Sequence, residues 1–415
     1  MRSDAELAGH AVELVIRDSY GKLVAYLASR TRDVAGAEDA LSEAFATALA
    51  DWPKKGIPDS PEAWLLTVAR RRLVDAARRR ETRGETAAHL QLLTEELLDD
   101  ARREDGLPDE RLNLMFACAH PAIDARMRAP LILQTVLGFD AAAIASAFLI
   151  SPATMGQRLV RAKSKIKEAH VPFSIPERAE MPGRVEAVLA AIYATFTEGW
   201  TNPAGDDFQR RELAEEAMFL CRLVVELLPG EAEALGLLSL MLHLEARRAA
   251  RRDVNGEFVP LGEQDVSRWN AAMIEEAEHL LTRASRIGNV GRYQLEAAIQ
   301  SAHAIRRRDG RADWAALDML YARLLALTAS PVIAVNRAVV IAELCNPDAG
   351  LAVLDDLGGE TRLLDYQPYW AARAELLARS RRLEEADAAY ARAIGLESDK
   401  TVKRFLEGRR ARLRE

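Results

Sequence analysis

The side chains of this 415-residue chain that could act together are arginines, lysines and carboxylates, and the chemistry the cations suggest is adhesion to phosphate. Arg70, Arg71, Arg72, Arg78, Arg79, Arg80 and Arg83 crowd one stretch, with Asp75 and Glu81 as the only acids among them. On a helix, positions 71, 72, 78 and 79 cannot all face one core, so a basic, solvated surface is forced. It is either a plain solvated helix face or a phosphate-contacting strip, because clustered arginine is the electrostatic footprint of nucleic-acid binding. A second set, Thr154, Gln157, Arg158, Arg161, Lys163 and Lys165, mixes hydrogen-bonding and cationic groups as base-edge reading requires. An acidic set, Glu38, Asp39 and Glu43, sits beside the apolar Ala40, Leu41, Ala44 and Phe45.

Catalytic groupings do not emerge. The chain has no Gly-rich phosphate loop, no HExxH and no plausible Ser/His/Asp set among its seven scattered histidines. Glu198-Gly199-Trp200 and the arginines 306–308 are the odd polar clusters of the last segment, and neither forms a catalytic constellation. Cys118, Cys221 and Cys345 lie too far apart for a CxxC metal site or a disulfide framework, and a reducing cytoplasm is the expected compartment. Cys118 and His120 offer two ligands where a structural zinc needs four, so both read as core or helix-end residues. No enzyme activity, metal or cofactor is expected. No apolar run approaches the ~18 residues of a membrane span, and Met1-Arg2-Ser3-Asp4 leads into an acidic amphipathic segment instead of a signal-peptide core.

The elements that must position these groups read almost entirely as helix. Ala, Leu, Arg and Glu dominate, apolar residues recur at three- and four-residue spacing, and no long alternating pattern appears. The net charge of −7 is spread as −2 over residues 1–180 and −5 over the remainder, so local arrangement and not the total must carry any nucleic-acid reading. Breakers divide the chain into an all-α sequence of parts. The first, residues 8–83, has two helical stretches joined by the Pro-rich run 52–61, in which Ser60 and Pro61 make a helix start. Residues 84–106 form an acidic linker, either a solvated tether or a segment with its own path through a partner.

Residues 107–170 contain a helix-turn-helix candidate. A short helix at 141–148 is followed by a turn at Leu149-Ile150, and Ser151-Pro152 starts the second helix as N-cap and N1. Met155, Leu159, Ala162 and Ile166 make one apolar stripe, and Thr154, Gln157, Arg158, Arg161 and Lys165 fall away from it. An ordinary helical hairpin with a charged outer face is the other reading. Residues 183–412 show degenerate helix-pair repeats: Trp370-x2-Arg373-Ala374-x2-Leu377 with Ala386-x3-Tyr390-x2-Ala393, and Arg337-Ala338-x2-Ile341 with Gly350-x3-Leu354. The anchors Ala338 and Ala374 are 36 residues apart, near the 34-residue tetratricopeptide period. Residues 251–269 do not fit the repeat and read as an inserted loop.

Together these residues resemble the extracytoplasmic-function sigma factors of bacterial RNA polymerase, in the subgroup with a tetratricopeptide-like C-terminal extension. Glu38-Asp39-Ala40-Leu41-Ser42-Glu43-Ala44-Phe45 looks like region 2.2 of that family, Pro61-x2-Trp64-Leu65 with Ala69–Arg72 and Asp75-x2-Arg78-Arg79 looks like regions 2.3 and 2.4, and Gly138 to Lys165 looks like region 4.2. Leu114–Pro121, Ala153–Lys163 and the run Tyr293-x-Leu295-x-Ala297-Ala298-Ile299-Gln300 are similar to the subgroup. The resemblance implies core polymerase as partner, through the β′ clamp helices and the β flap, with Glu38, Asp39, Glu43 and Phe45 at the clamp. It implies that Asp59 and Ser60 in the loop 54–60, with Arg70, Arg71, Arg78 and Arg79, meet the −10 promoter element. It implies that Thr154, Gln157, Arg158 and Arg161 read the −35 element while Lys163 and Lys165 hold phosphates. The C-terminal extension is expected to pack on the first two domains and regulate them. The competing reading is a helix-turn-helix regulator with a tetratricopeptide-like sensor domain that never touches polymerase.

Overall fold

The structure is a computed structural model and describes residues 4–81, 110–147, 151–174, 176, 180–201 and 207–414. The expected linker 84–106 and the turn at Leu149-Ile150 lie outside the described residues. The fold is all-α, as the periodicity predicts; among the described residues an isolated bridge between Arg252 and Phe258 is the one piece of β pairing.

The chain divides into two compact units, residues 1–195 and 196–415. In the first, α1 (Asp4–Thr31), α2 (Val34–Lys55) and α3 (Pro61–Glu81) pack on one another. Asp33 caps α2 by accepting from Gly36 N at 3.0 Å, and Gly56, at φ +87°, ends it. Leu23, Leu27, Leu41, Phe45, Trp52 and Leu65 fill the bundle's interior. Next come α4 (Arg111–Cys118), α5 (Ala125–Thr135), α6 (Ala141–Ala147) and α7 (Pro152–Glu168). Here α4 packs on α1, and α7 packs on α5, on α6 and on α2. Gly21 is what lets α1 approach the end of α5, because a Cβ there would lie 1.8 Å from the Val136 carbonyl oxygen.

The helix α8 (Met181–Thr201) crosses the boundary between units. The second unit continues with α9 (Asp207–Leu227), α10 (Ala232–Ala246), α11 (Ala271–Ile287), α12 (Arg292–Ala304), the single turn α13 (Arg306–Asp309) and α14 (Trp314–Thr328). It ends with α15 (Pro331–Leu344), α16 (Pro347–Asp356), α17 (Gln367–Arg379), α18 (Leu383–Leu396) and α19 (Lys400–Ala411). From α14 onward each helix packs on its successor, and α15 also meets α17. The small residues expected at helix crossings are there: Ala338, Ala374, Ala386 and Ala393 are fully buried, with Tyr390 and Leu354 in the same cluster. At Gly350 a Cβ would come within 2.6 Å of the Ala338 carbonyl oxygen. Residues 251–269 include short 3-10 turns at Leu261–Glu263 and Val266–Arg268.

Candidate nucleic-acid interface

The helix α7 is built as its sequence requires. Ser151 accepts from Thr154 N at 3.2 Å, Pro152 occupies N1, and Lys165 and Lys167 sit in the last turn, where cations suit the helix dipole. Met155, Leu159, Ala162 and Ile166 are buried, while Gln157, Arg158, Arg161 and Lys165 are exposed and Thr154 is half-buried beside its cap. One helix therefore holds itself by an apolar seam and presents amide and guanidinium donors to solvent, the arrangement that major-groove reading needs.

Lys163 is placed differently from its neighbours. Its ammonium pairs with Glu38 Oε2, each side chain only 12–13% exposed, and a turn later Lys167 Nζ lies 2.7 Å from Asp33 Oδ2. These pairs tie α7 to α2, so one residue of the expected DNA-binding set and one of the expected polymerase-binding set neutralise each other. Glu38 Oε1 is buried with no hydrogen-bond partner. Burial raises the Glu38 carboxyl above its ordinary value and outweighs the opposite pull of Lys163. Tyr20, facing the same acids, is pushed up by burial and by Glu38 and Asp39. Asp39 and Glu43 are exposed, with Glu43 Oε2 3.2 Å from Arg72 Nε, and Phe45 packs inside.

The arginine strip of α3 also divides. Arg70 donates to the Tyr26 hydroxyl and lies 5.2 Å from that ring, with Arg30 at 4.0 Å from it, so the buried Tyr26 is held between two guanidinium groups. Arg71 is exposed and makes no hydrogen bond or ion pair with the described residues. Arg78 and Arg79 continue the helix, their side chains lying outside the described residues. Asp59 and Ser60 are exposed at its start, and Trp64 meets the buried Trp52 edge-on at 5.6 Å, which gives it a packing role. Sequence reasoning missed Tyr26, Asp33 and Lys167. Asp33 has a visible N-cap signal before Val34; the other two are defined by partners far away in the chain.

Cys118 and His120 do not converge on a metal site. The Cys118 thiol contacts Thr135 Oγ1 at 3.4 Å, and burial pushes it up to about 12. His120 Nδ1 accepts from Ala122 N at 3.1 Å and so closes the turn after α4.

Residues 15–83 match the family Sigma-70 region 2, which spans α2, α3 and the second half of α1. The chain carries a sigma-70 region 2. Residues 184–285 match a family of unknown function, DUF6596. Along 370 residues the chain is 40% identical to an uncharacterized protein of Rhizobium meliloti (strain 1021), covering 87% of this chain and 86% of that one, and the two belong to one family. No solved structure matches the chain. Glu38, Asp39, Glu43, Phe45, Asp59, Ser60 and Arg70 to Arg79 all fall inside the matched sigma-70 segment, whereas α7 lies beyond it. No helix among the described residues is long and apolar enough to cross a membrane.

Proposed function

We propose that this sigma-70 region 2 protein is an extracytoplasmic-function type sigma factor that binds core RNA polymerase in the cytoplasm, recognises −10 and −35 promoter elements and starts transcription. In this reading region 2 occupies residues 8–83, an acidic tether 84–106, region 4 residues 107–170 and a tetratricopeptide-like regulatory domain 183–412. The observation that carries it is the pairing, in one chain, of the sigma-70 region 2 match with α7, whose seam is buried and whose Gln157, Arg158 and Arg161 are exposed. Asp39 and Glu43 supply acid for the β′ clamp, Arg71 supplies a free cation beside the −10 element, and Lys165 supplies one beside the −35 element.

The tie between α2 and α7 fits a resting form. Docking on polymerase through Glu38 requires Lys163 to leave it, and release frees both residues for their separate partners. That same tie is the one observation favouring the second reading, a helix-turn-helix regulator that has no use for Glu38 as a docking residue. Co-purification with core polymerase separates the two. The sigma reading expects a stable complex with the native chain and its loss on Glu38→Arg with Asp39→Arg. A chain that binds duplex DNA and never retains polymerase belongs to the second reading.

A further inference from the structure

The second unit holds a cleft of about 790 Å³, within the range of small-molecule sites. Two helix faces make its floor. Asn336, Val339, Val340 and Glu343 recur at three- and four-residue spacing along α15, and Ala372, Glu375, Leu376 and Arg379 do the same along α17. Residues 260–263 also line it. The segment they belong to is tied down by Arg404 to Glu257 at 2.7 Å and by Arg252 to Asp399 at 3.3 Å, so that wall is held in place.

The charged groups of the cleft are satisfied from within. Arg379 pairs with Glu343 at 2.5 Å, Arg409 with Glu263 and, at 3.8 Å, with Glu375, and the Tyr390 hydroxyl donates to Glu375 Oε2 at 2.9 Å. Arg306 donates to the carbonyls of Leu261 and Gly262 at 2.7 and 3.0 Å, beside Glu263. Arg311 is exposed to solvent, where an ion pair is worth little. An ion entering here would lose water and meet charges that are already paired.

The neutral polar groups are not satisfied. The Asn336 amide is exposed and Tyr321 is half-buried; both line the cleft, and neither makes a hydrogen bond with the described residues. Helices α14 and α15 pack on each other across the turn at Ala329-Ser330, which sets Tyr321 and Asn336 at about the same height on the two. His303 lies edge-on to Trp314 with ring centroids 6.4 Å apart, lines the same cleft and likewise has no hydrogen bond. Burial, then Arg247 and Arg306, push its imidazole down to about 4, so it too is neutral near pH 7. A carboxamide holds a donor and an acceptor side by side and so complements another amide.

We propose that this cleft binds an uncharged small molecule with an amide-type head, a donor beside an acceptor, set against Asn336 and Tyr321, and an apolar body on Val339, Val340 and Leu376. The site lies wholly within residues 196–415 and stands independently of the promoter-binding reading. The test is a fluorescence titration of the full chain with Nile red, an uncharged dye, followed by displacement with octanamide, N,N-dimethyloctanamide, octanoate and octylammonium. One saturable dye site per chain is expected, emptied by octanamide at concentrations at least fivefold below those of the other three. Asn336→Leu and Tyr321→Phe keep the dye and the melting temperature, and each brings octanamide to within twofold of its dimethyl analogue. Loss of the preference in either variant assigns the head to that side chain. The assignment is overturned if no saturable dye site is found, if octanoate or octylammonium displaces the dye as well as octanamide does, or if the preference for octanamide over its dimethyl analogue is absent or survives undiminished in both variants.

Discussion

Glu38 shows what a single buried carboxylate does to the rest of the first unit. Its folded-state value lies above the ordinary 4.5 because burial costs the charged form more than Lys163 returns. The folded chain therefore holds a proton that the unfolded chain has already released, and the contribution of this group to stability falls as pH rises from about 4.5 through the folded value. Tyr20, Asp39 and Lys163 face it. Denaturation followed from pH 5 to 8 should show Glu38→Gln gaining stability relative to the native chain as pH rises; a gap that is flat or shrinks refutes burial of the carboxylate as the cause. Arg70 and Arg71 make a second contrast at this scale. Arg70→Ala strips the Tyr26 ring of a guanidinium and a hydrogen bond and should cost roughly 1–2 kcal/mol of stability. Arg71→Ala should leave stability within about 0.5 kcal/mol while lowering the salt slope of DNA binding by about one phosphate contact. The sequence presents the two as equal neighbours, since nothing local tells which arginine will find Tyr26, 44 residues upstream.

At the scale of elements, α7 is the most legible part of the molecule. Its cap, its Pro at N1 and its four-residue apolar seam are all local signals, and all four seam residues are buried. Ser151→Ala should cost about 1 kcal/mol of stability, measured by urea denaturation, with the DNA preference intact. Arg158→Ala should do the reverse, leaving the fold alone and costing about 1–3 kcal/mol of specific binding at one base pair, measured by titration against single-base variants of the selected site. The buried small residues Ala338 and Ala374 were legible for a related reason: helices that cross closely need small residues at the crossing. Gly350→Ala tests that crossing, since the added methyl must displace the Ala338 carbonyl or Leu376, with an expected loss of about 1–3 kcal/mol in thermal denaturation. The segment 251–269 could not be placed from its own residues, because its partners on α19 and its cap lie some 150 residues away in sequence.

At the scale of the whole molecule, pairing between distant residues decides most of what sequence reading left open. The Lys163–Glu38 pair joins positions 125 residues apart, and the Arg404–Glu257 pair in the second unit joins positions 147 apart. Each residue is ordinary where it stands in the chain, and only the packing brings opposite charges into contact. Lys163→Ala with Lys167→Ala removes both ties between α7 and α2. If the tie marks a resting form, the doubly substituted chain should bind core polymerase faster than the native chain, in spite of losing one phosphate contact. Deleting residues 183–415 should change promoter output strongly, measured as transcripts per polymerase, and unchanged output would remove regulation from the role assigned to that segment. The central claim is tested most directly by transcription in vitro with core polymerase and genomic DNA, reading the 5′ ends of the RNA. The expected result is a set of discrete start sites that appear only when the chain is added, preceded by shared −10 and −35 sequences and abolished by Glu38→Arg with Asp39→Arg. The same scattered ends with and without the chain would contradict it.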